Sequence, residues 1–169
     1  MKNVVLTGFM GTGKSSVGVE LAKRLGCRYC DLDSLITEET GMTINRIFEQ
    51  FGETHFRDIE TRVIERISSM ENLVISSGGG AVIRGKNREM LRSSGVIINL
   101  NASAEEIFSR ICCDTSRPLL KDDMSLERIG TMLREREPFY ADADIRIDTT
   151  GKKVDDVVRE ILRNLEGNV

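Results

Sequence analysis

Histidine, proline and long apolar runs are scarce in this chain of 169 residues, and each scarcity excludes something. One histidine, His55, and four cysteines in two close pairs give no spacing that fits a tetrahedral zinc set. Two prolines and the absence of low-complexity tracts leave no candidate linker, so we expect one domain over residues 1–169. No apolar run approaches the ~20 residues of a membrane-spanning helix.

Positive and negative side chains nearly cancel, and the net charge is only −3. Such a value gives no general attraction to nucleic acid or to a membrane, so any anion site must be a local cluster of Arg and Lys. The N-terminal apolar run ends at Gly8, which is too short for the core of a signal peptide. We therefore expect a cytoplasmic protein without nucleic-acid or membrane partners. Because no exposed apolar stripe demands a second subunit, we also expect a monomer.

The strongest positive feature is the segment from Gly8 to Ser15, GFMGTGKS, which fits the phosphate-binding pattern G-x-x-x-x-G-K-[ST]. An apolar, β-branched run at residues 4–6 precedes it, and a helix pattern over residues 16–25 follows it. Glycines let the backbone point several N–H groups at one anion, and the helix start adds its positive end. Lys14 supplies a cation for the β- and γ-phosphates, and the Ser15 hydroxyl is a hard oxygen ligand suited to Mg²⁺.

Strand and helix patterns alternate along the whole chain. Strands are predicted at 4–6, 27–32, 73–76, 96–100 and 145–147. Helices are predicted at 16–25, 34–40, 43–51, 54–70, 86–93, after the capping box at 103–106, at 125–137 and over the apolar stripe at 154–165. This alternation predicts an α/β fold, a three-layer αβα sandwich around a five-stranded parallel sheet of the P-loop kinase type. Ligands of such sheets bind at the carboxyl ends of the strands.

Absent motifs narrow the class of P-loop protein. The chain has no guanine-reading N-K-x-D, which argues against a GTPase. Motor ATPases usually place an aspartate at a strand end for Mg²⁺, but the third strand here runs into serines and glycines. Asp31, at the end of the second strand, is the substitute that we expect to serve the metal. The remaining possibility that suits the chain is a kinase for a small acidic or polyhydroxylated acceptor.

Four features carry that interpretation. Asp31 and Asp33 lie two apart, so on a strand they would share one face, with Asp33 also a candidate helix cap. Arg57 and Glu60 are i,i+3 neighbours on a predicted helix, where the carboxylate can hold the guanidinium. The other two features are the strand-end glycines Gly78, Gly79 and Gly80, and the two later arginines Arg117 and Arg136.

At these residues the sequence resembles the shikimate kinase family over nearly its whole length. The shared motifs are the P-loop, the D-x-D after the second strand, F-R-x-x-E, G-G-G-A, R-P-L-L and R-x-P-x-Y. Each motif alone is weak, but their order and spacing together are specific. The resemblance implies transfer of the γ-phosphate of ATP to the 3-hydroxyl of shikimate, a step of aromatic amino-acid biosynthesis.

The resemblance also implies roles for individual residues. The nucleotide phosphates would bind to Gly11, Thr12, Gly13, Lys14, Ser15 and Ser16, and Arg117 would reach them from a mobile lid at about 112–124. Ser15 and Asp31 would place Mg²⁺.

For the acceptor, the resemblance implies that shikimate would contact Asp33, Arg57, Gly78, Gly79, Gly80 and Arg136 in a segment that includes the helices at about 33–70. Lys14, Asp33 and Arg117 would be catalytic, with Asp33 either a base or an orienting group. The adenine loop of the family follows the fifth strand, where this chain has lysines at 152 and 153.

Other interpretations of the residues stay open at this point. A related P-loop kinase acting on gluconate or a nucleoside monophosphate is one alternative, and a nucleotide-binding regulatory module is another. Paired arginines favour a carboxylate-bearing acceptor over a nucleotide, which would need an aromatic or amide-rich base pocket. The combination of Lys14, Asp33, Arg117 and Arg136 favours an enzyme over a regulatory module.

Overall fold

A computed structural model describes residues 2–112 and 125–167 of the chain. The strands are β1 Asn3–Thr7, β2 Arg28–Asp31, β3 Leu73–Ser76, β4 Gly95–Asn101 and β5 Ile145–Asp148. The α-helices are α1 Lys14–Leu25, α2 Leu32–Thr40, α3 Ile44–Ser68, α4 Gly85–Ser94, α5 Ala104–Ile111, α6 Leu126–Tyr140 and α7 Val154–Gly167, and a 3₁₀ turn spans Ala81–Ile83. All strand pairs are parallel, and the sheet order is β2-β3-β1-β4-β5. The predicted five-stranded parallel sheet is confirmed.

The central strand β1 is buried on both faces, as a parallel sheet covered by helices requires. Val5 faces a core cluster that contains apolar residues of α2, α3 and α4. Val4 and Leu6 face a second cluster, built with α1 and α7. Since neighbouring residues of one strand point to opposite faces, this separation confirms the three layers. A third cluster joins Phe9 to α5 and α6 beyond the carboxyl end of the sheet.

The boundary between β2 and α2 differs from the prediction. The strand ends at Asp31 rather than at residue 32, and α2 begins at once. Asp31 is the residue that caps α2, because its Oδ1 accepts a hydrogen bond of 3.0 Å from the Ser34 N–H. Asp33 therefore lies in the first turn of a helix, where a negative charge is favoured, and the shared strand face predicted for Asp31 and Asp33 is wrong. The residue that shares this strand face with Asp31 is Tyr29.

The two helices predicted at 43–51 and 54–70 form the single element α3, which is interrupted at Gly52. Gly52 has φ 82° and ψ 172°, a conformation that breaks the helical path and favours glycine. The end of the second predicted helix is also wrong. Met70 lies beyond α3 and is 39% exposed, so it does not belong to the buried face.

Within residues 2–112 and 125–167, every helix is too short or too polar to cross a bilayer.

The contact between α1 and β2 makes a stability prediction. A Cβ at Gly18 of α1 would lie 2.5 Å from the Tyr29 ring and 3.3 Å from Leu6 Cδ1. Gly18→Ala therefore overpacks the core, and we expect the free energy of unfolding to fall by about 1–3 kcal/mol. Urea denaturation measures the change.

The matched control is Gly130→Ala in α6, where the nearest atom to an added Cβ is the flexible end of Arg134 at 3.5 Å. Alanine lowers the backbone entropy of the unfolded chain, so this variant should gain about 0.5–1 kcal/mol. Equal changes in the two variants would show that the Tyr29 ring does not restrict position 18.

Candidate active site

The loop between β1 and α1 has the backbone that phosphate binding requires. Gly8, Gly11 and Gly13 have φ of 140°, 80° and 93°, in the region that side chains disfavour. Gly13 occupies the N-cap of α1 and has no side chain with which to cap the first turn. Within the described part of the chain no side chain caps this helix start, and its backbone N–H groups and the positive end of the helix dipole favour an anion there.

Lys14 is buried within this loop. Its Nζ donates hydrogen bonds to the carbonyl oxygens of Gly8 at 2.8 Å and Phe9 at 2.9 Å. These bonds hold the ammonium at the loop that surrounds the predicted phosphate site. The loop thus presents a fixed cation beside the helix start, which is a suitable arrangement for charge that spreads over phosphate oxygens.

A first cavity, of about 210 Å³, lies against the loop and α1. We call it the phosphate cavity. Its lining includes the predicted residues Gly11, Gly13, Lys14, Ser15, Ser16, Asp31, Asp33, Gly78 and Gly79. Among the predicted nucleotide residues that the structure describes, Thr12 is the one that does not line this cavity; its hydroxyl donates to the Phe9 carbonyl at 2.8 Å and its side chain is buried.

The side chains of Ser15 and Asp31 meet at one wall of the phosphate cavity. Ser15 Oγ lies 3.4 Å from Asp31 Oδ2, as expected for two residues that serve one metal. A hydroxyl and a carboxylate are hard oxygen donors of the kind that Mg²⁺ prefers. The residues present therefore fit a magnesium ion bound beside the phosphates.

A second cavity, of about 380 Å³, adjoins the first. We call it the acceptor cavity. Its lining contains both predicted acceptor arginines, Arg57 and Arg136, and also Asp33, Gly78, Gly79, Gly80, Met10, Thr43, Ile44, Asn45, Phe48, Phe56 and Glu60. The two cavities share four lining residues, namely Met10, Asp33, Gly78 and Gly79. Asp33 thus stands at the boundary between the phosphate cavity and the acceptor cavity.

Arg57 is buried and is held by two carboxylates from its own helix. Its Nη1 donates to Glu60 at 3.0 Å, as the i,i+3 spacing predicted, while Nε and Nη2 both reach Glu53 Oε1 at 3.3 and 3.0 Å. Each terminal nitrogen carries two N–H groups, so one on each remains beyond these bonds and is available as a donor to a carboxylate. Gly80 lies directly against the guanidinium, since an added Cβ would overlap Nη2.

Arg136 comes from α6 and lines the acceptor cavity together with Arg57. Its guanidinium carbon lies 5.4 Å from the centroid of the Phe9 ring. Nη1 is buried and has no hydrogen-bond partner in the part of the chain that the structure describes. It lies beside Gly79, where an added Cβ would come within 3.6 Å. A buried donor of this kind is costly unless an anion or water satisfies it.

Several residues of the site were not predicted. Tyr140 lies one helical turn after Arg136, and its hydroxyl donates to the Gly79 carbonyl at 2.5 Å, which links α6 to the glycine loop. Arg110 of α5 reaches the carbonyl oxygens of Gly11 and Thr149, each at 3.0 Å, and so ties the P-loop to the segment after β5. The i+4 spacing from Arg136 was an available signal for Tyr140, whereas nothing in the local sequence distinguishes Arg110 from a surface arginine.

Arg117 and the predicted lid at about 112–124 lie almost entirely outside the described residues. Cys112 is described, as the C-cap residue that follows α5. The placement of Arg117 relative to the phosphate cavity therefore stays a prediction.

Comparisons with known proteins agree with this geometry. The family model described as shikimate kinase matches residues 10–166. The chain belongs to the shikimate kinase family. It is 60% identical to a shikimate kinase of Geobacter metallireducens over 167 residues, which cover 99% of this chain and 93% of the relative. It is 54% identical to a shikimate kinase of Geobacter sulfurreducens, with 95% and 88% covered.

A solved structure of shikimate kinase from Acinetobacter baumannii in complex with shikimate is similar throughout. The TM-score is 0.96 at 36% identity, and the match covers 99% of this chain and 94% of that one. The family therefore shares the P-loop α/β fold found here, and the resemblance predicted from the sequence motifs is confirmed.

The buried carboxyl of Glu60 makes the stability of the folded protein depend on pH. Burial raises the pKa of its carboxyl above the ordinary 4.5, although the guanidinium of Arg57 acts in the opposite direction. A raised pKa means that the folded state binds the proton more tightly than the unfolded chain does. This contribution to stability is present below pH 4.5 and is lost as pH rises through the folded-state pKa.

We therefore expect the unfolding free energy of the wild type, relative to Glu60→Gln, to fall as pH rises from about 4 through the raised folded-state pKa of Glu60. Urea denaturation at a series of pH values measures this difference. Glu65→Gln removes an exposed carboxylate from the same helix and is the control. A difference that rises with pH would show that Arg57, rather than burial, dominates the environment of Glu60.

Proposed function

We propose that this protein transfers the γ-phosphate of ATP to the 3-hydroxyl of shikimate, giving shikimate 3-phosphate and ADP. The observation that carries the proposal is the pair of adjoining cavities. One is lined by the P-loop and Lys14, the other by Arg57 and Arg136, and Asp33 lies in the lining of both.

The acceptor cavity suits a small ring that carries one carboxylate and several hydroxyls. The two remaining N–H groups of Arg57 are donors for the carboxylate, and so is Nη1 of Arg136, which has no partner among the described residues. The rings of Phe48 and Phe56, whose centroids are 4.7 Å apart, supply an apolar wall for the face of the acceptor ring. Gly78, Gly79 and Gly80 allow close approach of backbone to substrate.

The phosphate cavity suits the nucleotide. In this proposal the loop residues 11–16 bind the phosphates, with Lys14 at the β- and γ-phosphates. Arg117 joins them from the lid, a role that rests on the sequence motif alone. Phosphoryl transfer mainly requires that two reactants be aligned and that charge be neutralised, which are the tasks these cations perform.

Asp33 acts at the boundary between the cavities. Its carboxylate accepts a hydrogen bond from the acceptor hydroxyl and aligns that oxygen with the γ-phosphate. A loose transition state needs little help from a base, so it is sufficient that Asp33 orients the hydroxyl. The Asp33 carboxylate then accepts the proton that the hydroxyl loses when its oxygen bonds to phosphorus.

Ser15 and Asp31 would hold Mg²⁺ in the phosphate cavity. The ion supplies charge neutralisation at the phosphate oxygens when it is bound. Asp31 would contact the ion directly or through a water molecule, because Mg²⁺ keeps part of its hydration shell in most protein sites.

The cellular setting belongs to the proposal as well. We propose a cytoplasmic monomer, one kinase domain over residues 1–169 with an acceptor segment at about 33–70 and a lid at about 112–124. It acts on ATP and shikimate, without nucleic-acid or membrane partners. The weak net charge of −3 supports the last point.

The direct test is an ADP-release assay with Mg-ATP and a panel of acceptors: shikimate, quinate, gluconate and nucleoside monophosphates. We expect shikimate to support the largest kcat/KM, with shikimate 3-phosphate identified by ³¹P NMR. Lys14→Ala should abolish release in the same assay while far-UV circular dichroism stays unchanged. Faster turnover of gluconate or of a nucleoside monophosphate would overturn the proposed acceptor.

The arginine pair makes a second prediction. Arg57→Lys replaces a planar, bidentate donor with a point charge, so the KM for shikimate should rise about tenfold or more, which corresponds to the ~1.5–3 kcal/mol of a charge-assisted hydrogen bond. The KM for ATP should stay within about twofold, since Arg57 does not line the phosphate cavity.

Arg62→Lys, at an exposed position of the same helix, is the control and should leave both constants unchanged. If Arg57→Lys raised the KM for ATP as much as the KM for shikimate, the proposed role of Arg57 in binding the acceptor would be wrong.

A further inference from the structure

Tyr29 reaches the proposed metal site from the core. Its half-buried ring extends from β2 onto α1, within 2.5 Å of where a Cβ would stand at Gly18, and packs against the core cluster that includes Leu6 and Leu21. The ring therefore has little freedom to move. Its hydroxyl lies at the end of this rigid support and donates to Asp31 Oδ2 at 3.1 Å.

Asp31 has both carboxylate oxygens engaged. Oδ1 accepts from the Ser34 N–H at 3.0 Å as the cap of α2, and Oδ2 accepts from Tyr29 at 3.1 Å and from Ser15 at 3.4 Å. Because the bond from the Ser34 N–H is part of the start of α2, it fixes the position of Oδ1. The orientation of the other oxygen depends on Tyr29 more than on the longer contact with Ser15.

The chemistry of Ser15 connects this carboxylate to the metal. When the hydroxyl gives its hydrogen to Asp31, the lone pairs of Oγ are left for a cation. Asp31 can direct the Ser15 hydroxyl in this way only while its own Oδ2 stays in place. Hydrogen-bond partners that hold ligands in place commonly control metal affinity.

We propose that Tyr29 is a positioning residue of the metal site: its hydroxyl fixes Asp31 Oδ2, which in turn orients the Ser15 hydroxyl toward Mg²⁺. The inference rests on the proposed function, because it requires that Ser15 and Asp31 serve the metal. Tyr29 itself does not line the phosphate cavity.

The test measures how strongly Mg²⁺ and ADP assist each other's binding. Isothermal titration calorimetry gives the Kd of ADP in EDTA and in saturating Mg²⁺, and the ratio of the two values is the coupling. Tyr29→Phe keeps the ring and removes only the hydroxyl. We expect this variant to lower the coupling ratio about 2- to 10-fold, the effect of one lost hydrogen bond, and to leave the metal-free Kd of ADP unchanged.

Tyr140→Phe is the matched variant, because it removes the hydroxyl of the chain's other tyrosine, which lies in the acceptor part of the site. It should raise the KM for shikimate and leave the coupling ratio as in the wild type. Asp31→Asn tests the metal site itself and should lower the ratio at least as much as Tyr29→Phe.

Each outcome separates the two proposals. A normal ratio in Tyr29→Phe with a lowered ratio in Asp31→Asn would overturn the role of Tyr29 and leave the proposed function standing. A normal ratio in both would overturn the metal site. If Tyr29→Phe raised the Kd of ADP in EDTA, the hydroxyl would support the P-loop rather than the metal ligands. That result would also overturn the inference.

Discussion

The pairing of β1 with β3 and β4 determines where the functional groups of this protein lie. Leu6 is in register with Ser76 on one side and Ile98 on the other, and its carbonyl accepts from the Ser77 N–H at 3.0 Å. The P-loop therefore leaves the sheet beside the strand that leads into the glycines. Because all strands are parallel, both loops emerge at the same edge, where a nucleotide and an acceptor can meet.

The acceptor side of this edge holds buried cations before any ligand binds. Arg57 is compensated by two carboxylates, and Arg136 lies over the Phe9 ring with one nitrogen unpartnered within the described residues. Burying such groups costs stability unless an anion is present. Binding of a carboxylate should consequently stabilise the folded protein, since the ligand satisfies donors that the protein leaves open.

Much of the fold and of the candidate site follows from the sequence, because the relevant patterns are local. The P-loop flanks predicted a strand and a helix, and the i,i+3 spacing of Arg57 and Glu60 predicted their ion pair. The strand-face interpretation of Asp31 and Asp33 failed because α2 begins one residue after the strand ends. Asp31 both ends the strand and caps the helix, and whether the following residues continue the strand or begin a helix depends on a difference of one residue that the sequence pattern does not resolve.

Other contacts of the site depend on the tertiary structure, and no local sequence pattern predicts them. Tyr29 looks like an ordinary core aromatic in sequence, and its hydroxyl gains significance only because β2 places it beside α1. Arg110 lies 99 positions from the glycine whose carbonyl it binds. Contacts of this kind arise from the sheet order, which places α5 and the segment after β5 next to the P-loop.

The break in α3 has a consequence for how acceptor preference can change. Residues on both sides of Gly52 line the acceptor cavity, with Ile44 and Phe48 before the break and Phe56 and Arg57 after it. The angle between these two walls is set by the backbone torsions of one glycine that lines neither cavity. The shape of the cavity, and so the molecules that fit it, can therefore diverge between proteins whose pocket side chains are identical, and a comparison of lining residues alone would not detect the difference.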